Sequence, residues 1–135
     1  MSDLHVLVRV AGEDYALAVA DVLEVTEVGE ITPVPGAGAG VLGVRNLRGQ
    51  VLTVIDLASI LGLAGSRPEH IVVAEHGGLK GGMAVDSVAG VERLPDAVEQ
   101  IESRHLSGAA LADGTLVGLI DVSSVLHDVA GAGAR

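Results

Sequence analysis

Ile55-Asp56-Leu57-Ala58-Ser59-Ile60-Leu61 returns 65 residues later as Ile120-Asp121-Val122-Ser123-Ser124-Val125-Leu126. In each copy an apolar, β-branched run ends in an aspartate and passes into a short apolar stretch of helical length. The turn glycines upstream, Gly49 and Gly114, keep the same spacing, and Val19, Val22 and Val25 recur as Val85, Val88 and Val91 at an offset of 66. Two near-equal offsets over separate segments point to a duplicated unit of about 65 residues. A unit that small buries too little apolar surface to be stable alone. The halves, approximately 15–65 and 75–126 within one domain over 1–135, are therefore expected to share an apolar seam, with exchange of strands between them possible.

Outward from these runs the texture is β. Leu4 to Val10 is an apolar-rich strand closed by the turn Ala11-Gly12-Glu13-Asp14, and a second strand runs from Tyr15 to about Val19. Asp21 to Val28 alternates Val22, Glu24, Thr26 and Val28 against Leu23, Val25 and Glu27, a period of two that favours strand over helix. Thr32 to Gly40 holds two prolines and three glycines and reads as an exposed loop. Val41 to Ile55 reads as strand, tight turn around Arg48-Gly49-Gln50, strand. Asp56 suits an N-cap, its carboxylate accepting orphan N–H groups of the next turn, and Gly62 suits the left-handed position after the helix. Four or five short strands and one helical turn per half predict an all-β chain of small barrels or sandwiches. The tail, Gly131 to Arg135, is expected to fray.

The composition narrows what such a chain can do. Apolar residues make up 49% of it, yet Phe and Trp are absent and Tyr15 is the sole aromatic, so the core must be Val, Leu, Ile and Ala. Stacking platforms for single-stranded nucleic acid are lacking. Eighteen acidic against eight basic residues give a net charge of −10, which disfavours phosphate backbones and anionic membrane surfaces. Without cysteine there is no disulfide, thiolate metal site or Cys nucleophile. The N-terminus has no signal-peptide pattern and no apolar run approaches the ~20 residues that span a bilayer, so a cytoplasmic protein is expected.

The sequence carries little that could act as a catalytic site. Gly38-Ala39-Gly40-Val41-Leu42-Gly43 spells the dinucleotide fingerprint, but prolines precede it and a turn follows, where the fingerprint needs a buried strand and then a helix. His5, His70, His76, His105 and His127 never fall at spacings that put two imidazoles on one face, so no metal is expected. Ser59 and Ser124 read as ordinary helix residues after the caps, and no nucleophile elbow exists. No catalytic residue is assigned, and no cofactor. One polar cluster asks for explanation: Arg45, Asn46 and Arg48 lie within four residues of an otherwise apolar hairpin. An arginine on a rigid turn offers a planar fork suited to a carboxylate, and Glu24, in the same half, is the acid to pair with it. A solvated arginine at a hairpin tip remains the alternative.

At these residues the chain resembles the CheW family of chemotaxis coupling proteins. Ile31-Thr32-Pro33-Val34-Pro35 and Val41 through Leu57 look like the family's signature around Asn-Leu-Arg-Gly. Tyr15 to Val25, Gly82 to Val88 and Leu119 to Val122 match its other blocks in order, so that the likeness runs from about Val6 to Leu126. The resemblance implies two five-stranded, SH3-like barrel subdomains around a common core. It also implies a non-catalytic, cytoplasmic adaptor, recruited to membrane receptor arrays, that joins the cytoplasmic tips of methyl-accepting chemoreceptors to the CheW-like regulatory domain of a CheA-type histidine kinase. Carried over by position, it assigns Val22, Glu24, Val25, Asn46, Arg48 and Val88 to the receptor side, and Ile31, Val34 and Val44 to the kinase side. Thr53 stands where the family usually has proline, and Arg45 where it has an apolar residue. An adaptor of a chemosensory system with another output, and a small β-barrel enzyme or metabolite binder, are the rival readings.

Overall fold

Four two-residue turns set the architecture. Ala11-Gly12, Arg48-Gly49, Gly77-Gly78 and Asp113-Gly114 all have positive φ at both central positions, near 50–58° and then 77–85°. That is the mirror-image turn whose twist matches the flanking strands, so each closes a tight hairpin. The computed structural model describes residues 3–97, 101 and 103–133, with side chains as far as Asp128. The hairpins are β1 (Asp3–Val10) with β2 (Glu13–Ala18), β4 (Val41–Leu47) with β5 (Gln50–Asp56), β6 (His70–His76) with β7 (Leu79–Val85), and β9 (Leu106–Ala112) with β10 (Thr115–Ile120). Single strands β3 (Val22–Glu27) and β8 (Ser87–Leu94) follow the first and third hairpins, and helices α1 (Leu57–Leu61) and α2 (Val122–Gly133) follow β5 and β10. The helix thus continues into the expected frayed tail as far as Gly133, and Ala134 and Arg135 lie outside the described residues.

The fold is all-β in character, two barrel-like five-stranded sheets with short helices. Sheet 1 has the order β8-β1-β2-β10-β9 and sheet 2 the order β3-β6-β7-β5-β4. Neither sheet is one contiguous half of the sequence. Sheet 1 sets the hairpin β1–β2 between β8 and β10–β9, and sheet 2 sets β6–β7 between β3 and β5–β4, joined by the antiparallel pairs β1 with β8 and β3 with β6 and by the parallel pairs β2 with β10 and β5 with β7. The registers repeat too: Val22 opposes Ala74 as Val88 opposes Val8, and Val51 opposes Asn46 as Leu116 opposes Leu111.

Burial explains why the β6 run Ile71-Val72-Val73-Ala74 is continuously apolar instead of alternating. Val72 and Ala74 face a core shared by both sheets, while Ile71 and Val73 face the interior of sheet 2 with Leu52, Val54 and Ala84. A strand buried on both faces has no polar side to show. The shared core gathers Val8 and Leu17 from sheet 1, Ile55 and Met83 from sheet 2, Leu57 from α1, and Val125 and Leu126 from α2, all 1% exposed or less. Helix α2 leaves sheet 1 and packs against β7, β6 and β5 of sheet 2, tying the two together.

The caps are local and as the sequence implies. Asp56 accepts from Ala58 N at 3.2 Å and from Ser59 Oγ at 3.1 Å, and Asp121 accepts from Ser124 N at 3.1 Å. Gly62 ends α1 in the left-handed region at φ 75°.

Candidate functional site

The Arg48 hairpin is built from its turn upward. Arg48 itself is left-handed at φ 51°, a conformation that costs a non-glycine residue on the order of 1 kcal/mol. The side chain of Asn46 helps hold it, Oδ1 accepting from Gly49 N at 2.9 Å. From that turn the Arg48 guanidinium reaches across and donates from Nη2 to Glu24 Oε2. Arg45 Nη1 donates to Thr26 Oγ1 at 3.3 Å, and its guanidinium lies over Gly29, where a Cβ would come within 2.7 Å of Nε. Since β3 and β4 are the two edges of sheet 2, these contacts stitch the edges together and close the barrel. The Glu24–Arg48 pair is exposed on the arginine side (71%), so its contribution to stability is about 0–1 kcal/mol. What it supplies is orientation, a guanidinium held at the rim of a closed barrel.

The loop between β3 and β4 completes the seam. Thr32 bridges Val44 by two backbone hydrogen bonds of 2.8 and 2.9 Å. The strand can approach so closely because residue 43 is glycine; a Cβ there would sit 2.2 Å from Thr32 O.

Of the residues that the resemblance assigns to a receptor side, Glu24, Val25, Asn46 and Arg48 are on this seam and its hairpin, with Val25 40% exposed. Val22 and Val88 occupy equivalent positions in the repeat, one in each sheet, and both pack partly buried against the shared core. Of the residues that it assigns to a kinase side, Ile31 packs against the interior of sheet 2, Val44 carries the Thr32 bridge, and Val34 accepts a turn hydrogen bond from Ala37 N.

Two polar nodes have no counterpart in the reading of the sequence. Asp86 takes Ala11 N at 2.9 Å, Ser66 Oγ at 2.5 Å and Arg67 N at 2.9 Å, and so pins the first hairpin turn and the linker after α1 to the start of β8. Ser124, expected to be an ordinary helix residue, instead donates to Arg104 O at 2.7 Å and lies 3.1 Å from His105 Nδ1, while Asp128 takes Arg104 Nη2 at 2.5 Å and lies 3.3 Å from His105 Nε2. This cluster fastens α2 to the segment leading into β9. The signals for both nodes were single residues, Asp86 before β8 and an acid one helical turn beyond Ser124, and each is meaningless until its partners arrive from far along the chain.

The model of the CheW-like domain matches residues 4–130, nearly the entire chain. The chain belongs to the CheW-like domain family. Chemotaxis protein CheW of Thermotoga maritima is 32% identical over 129 residues, covering 87% of this chain and 84% of that one. Protein FrzA of Myxococcus xanthus is 34% identical over 106 residues, covering 76% and 64%. Among solved structures, the scaffolding protein TtCheW from Thermoanaerobacter tengcongensis superposes with a TM-score of 0.82 at 30% identity, covering 90% of this chain and 86% of that one. CheW-like membership makes this a chain of a scaffold and adaptor family in chemotaxis signalling.

Proposed function

We propose that this CheW-like chain couples chemoreceptors to a CheA-type histidine kinase, contacting the kinase through that enzyme's own CheW-like regulatory domain and the receptors at their cytoplasmic tips. The observation that carries the reading is the Arg48 hairpin, with Asn46 locking the turn and Glu24 orienting the guanidinium from the strand that also exposes Val25. A buried or half-buried apolar anchor ringed by an oriented charge is the usual make-up of a protein contact site. Val22, Glu24, Val25, Asn46, Arg48 and Val88 form the receptor side in this reading, and Ile31, Val34 and Val44 the kinase side. The chain acts without catalysis, by holding two partners at a fixed spacing. Among the described residues no helix is long and apolar enough to cross a membrane, so a place in receptor arrays would come from these contacts.

Titration calorimetry of the full chain against the kinase's regulatory domain, with EDTA present, tests the first half. Saturable binding is expected, and absence of binding or a strict need for metal would sink it. The second half is read by receptor-dependent kinase activation, which Arg48→Ala should reduce and Arg48→Lys should rescue poorly, because lysine lacks the planar fork.

A further inference from the structure

The β4–β5 and β9–β10 tips share one backbone and differ in chemistry. Both are two-residue mirror-image turns, with φ 51° and 83° at Arg48-Gly49 and 50° and 77° at Asp113-Gly114. The pairing that closes them is equivalent as well, Leu47 opposing Gln50 as Ala112 opposes Thr115. In sheet 2 the amide of the turn glycine is occupied: Gly49 N donates to Asn46 Oδ1 at 2.9 Å, which holds that peptide plane in place. At the offset of 65 Asn46 becomes Leu111, which offers no acceptor, and Gly114 N makes no hydrogen bond among the described residues. Arg48 becomes Asp113 at the same offset, so a carboxyl group stands immediately before this free amide.

Nothing else engages that carboxyl. The Asp113 side chain has no hydrogen bond or ion pair among the described residues, and both turn residues are exposed. No atom lies within 4 Å of where a Gly114 Cβ would stand, so the peptide unit has room to rotate towards its neighbour's side chain. No other aspartate has this setting. The remaining eight each precede a residue with a Cβ, which crowds the following nitrogen, and the one asparagine, Asn46, precedes Leu47. Asp86, before the small Ser87, has its carboxylate held by Ala11 N, Ser66 Oγ and Arg67 N.

We propose that Asp113-Gly114 is a site of spontaneous isoaspartate formation. Gly114 N attacks Cγ of the protonated Asp113 carboxyl. The N–Cγ bond forms, the Cγ–O bond breaks, and the hydroxyl departs as water with the amide proton, leaving a five-membered succinimide. The reaction is intramolecular, between adjacent residues, and needs no partner. Water then opens the ring. Addition at Cγ restores aspartate; addition at the main-chain carbonyl carbon of Asp113 breaks that carbon's bond to Gly114 N and gives isoaspartate, with the chain running through Cβ and Cγ. The turn then carries one more main-chain carbon, no longer matches the strand twist, and loosens the pairing of Ala112 with Thr115. A chain altered in this way is a substrate for enzymes that methylate isoaspartyl carboxylates. This goes beyond the adaptor reading and does not rest on it, for neither kinase nor receptor takes part.

The purified full chain, held folded at physiological temperature and pH and sampled over weeks, tests it. Peptide mapping with electron-transfer fragmentation locates isoaspartate, and methyl transfer from S-adenosylmethionine by an isoaspartyl methyltransferase counts it. Position 113 should accumulate isoaspartate several-fold faster than any other aspartate. Leu111→Asn, at a site 48% exposed, supplies the acceptor that Asn46 supplies in the other turn and should slow the accumulation several-fold. Asp113→Glu should abolish it, because glutamate would have to close a six-membered ring. The reverse transplant guards against misfolding of Leu111→Asn: Asn46→Leu with Arg48→Asp should create a second reactive site at position 48, and Arg48→Asp alone a slower one. An unaltered position 113 in the folded wild-type chain, Leu111→Asn reacting at the wild-type rate, or equal rates in the two transplants overturns the proposal. None of these outcomes alters the calorimetric test with the kinase, so the two readings fail separately.

Discussion

Sheet 2 closes its barrel with side chains across the β3–β4 seam, Arg48 to Glu24 and Arg45 to Thr26. At the matching positions of sheet 1 stand Asp113 and Gly90, and Ala110 and Glu92, which cannot pair. The backbones of the two seams share their registers, and even a bulge falls at the same place, between Val22 and Glu24 in one and just before Gly90 in the other. The two seams thus share their main-chain register and differ in the side chains they carry. The fold tolerates this because seam contacts on the surface are worth little beside the shared core, where burial of each Val or Leu contributes about 1.5–3 kcal/mol.

The largest break in this comparison should come from Gly43→Ala. The added Cβ would collide with Thr32 O at 2.2 Å, on backbone at φ 146°, so the loss should be about 3 kcal/mol or more in urea unfolding. Gly49→Ala, in the same hairpin, meets nothing within 4 Å and should cost only its left-handed strain, about 1 kcal/mol. Equal losses at the two sites would show that closure of the seam does not depend on the Thr32 approach.

Next in size is Leu126→Ala, 1% exposed in the shared core, for which about 2–5 kcal/mol is expected. Because α2 belongs by sequence to sheet 1 and packs on sheet 2, calorimetry should show a single melting transition that moves as one. Two separate transitions would mean that the barrels are independent.

The two caps come next. Asp56→Ala and Asp121→Ala should each cost about 0.5–2 kcal/mol and leave kinase binding intact at temperatures where the fold survives. Binding lost at unchanged stability would move either aspartate from a structural role to a contact.

The Glu24–Arg48 pair should show a coupling of about 0–1 kcal/mol in a stability double-mutant cycle, and a larger relative effect on receptor coupling. The swap Glu24→Arg with Arg48→Glu should restore part of what either reversal removes. Strict additivity in both assays would reduce the pair to two independent surface charges.

The smallest effect is alkaline. Burial, and secondarily the charge of Glu13, push the Tyr15 phenol above its usual value of 10.0. A raised folded-state pKa leaves this group's contribution to stability whole below about pH 10, and that contribution is lost as pH rises from there through the folded-state value. Absorbance at the tyrosinate band isolates the group, since it is the sole aromatic residue. A midpoint at or below that of unfolded chain would contradict its burial.

By itself the sequence determined the strands, the turns, both caps and the duplication, because each rests on residues close together in the chain: Arg48-Gly49 for a turn, Asp56 three residues before Ser59, Ile55 to Leu61 repeated at Ile120 to Leu126. It offered Glu24 as a partner for Arg48, with a solvated hairpin-tip arginine as the alternative, and the folded seam decides for the pair. Only the tertiary structure decided that the hairpins join through the parallel pairs β2–β10 and β5–β7, so that each barrel is assembled from both repeats. Strand partners of that kind are chosen by which faces can be buried together, a property of the folded whole that no window of sequence contains. The same holds for Asp86, which gathers Ala11, Ser66 and Arg67, and for His105 with Ser124 and Asp128. Their hydrogen bonds span up to 75 residues, and the packing of the core alone brings those groups within reach.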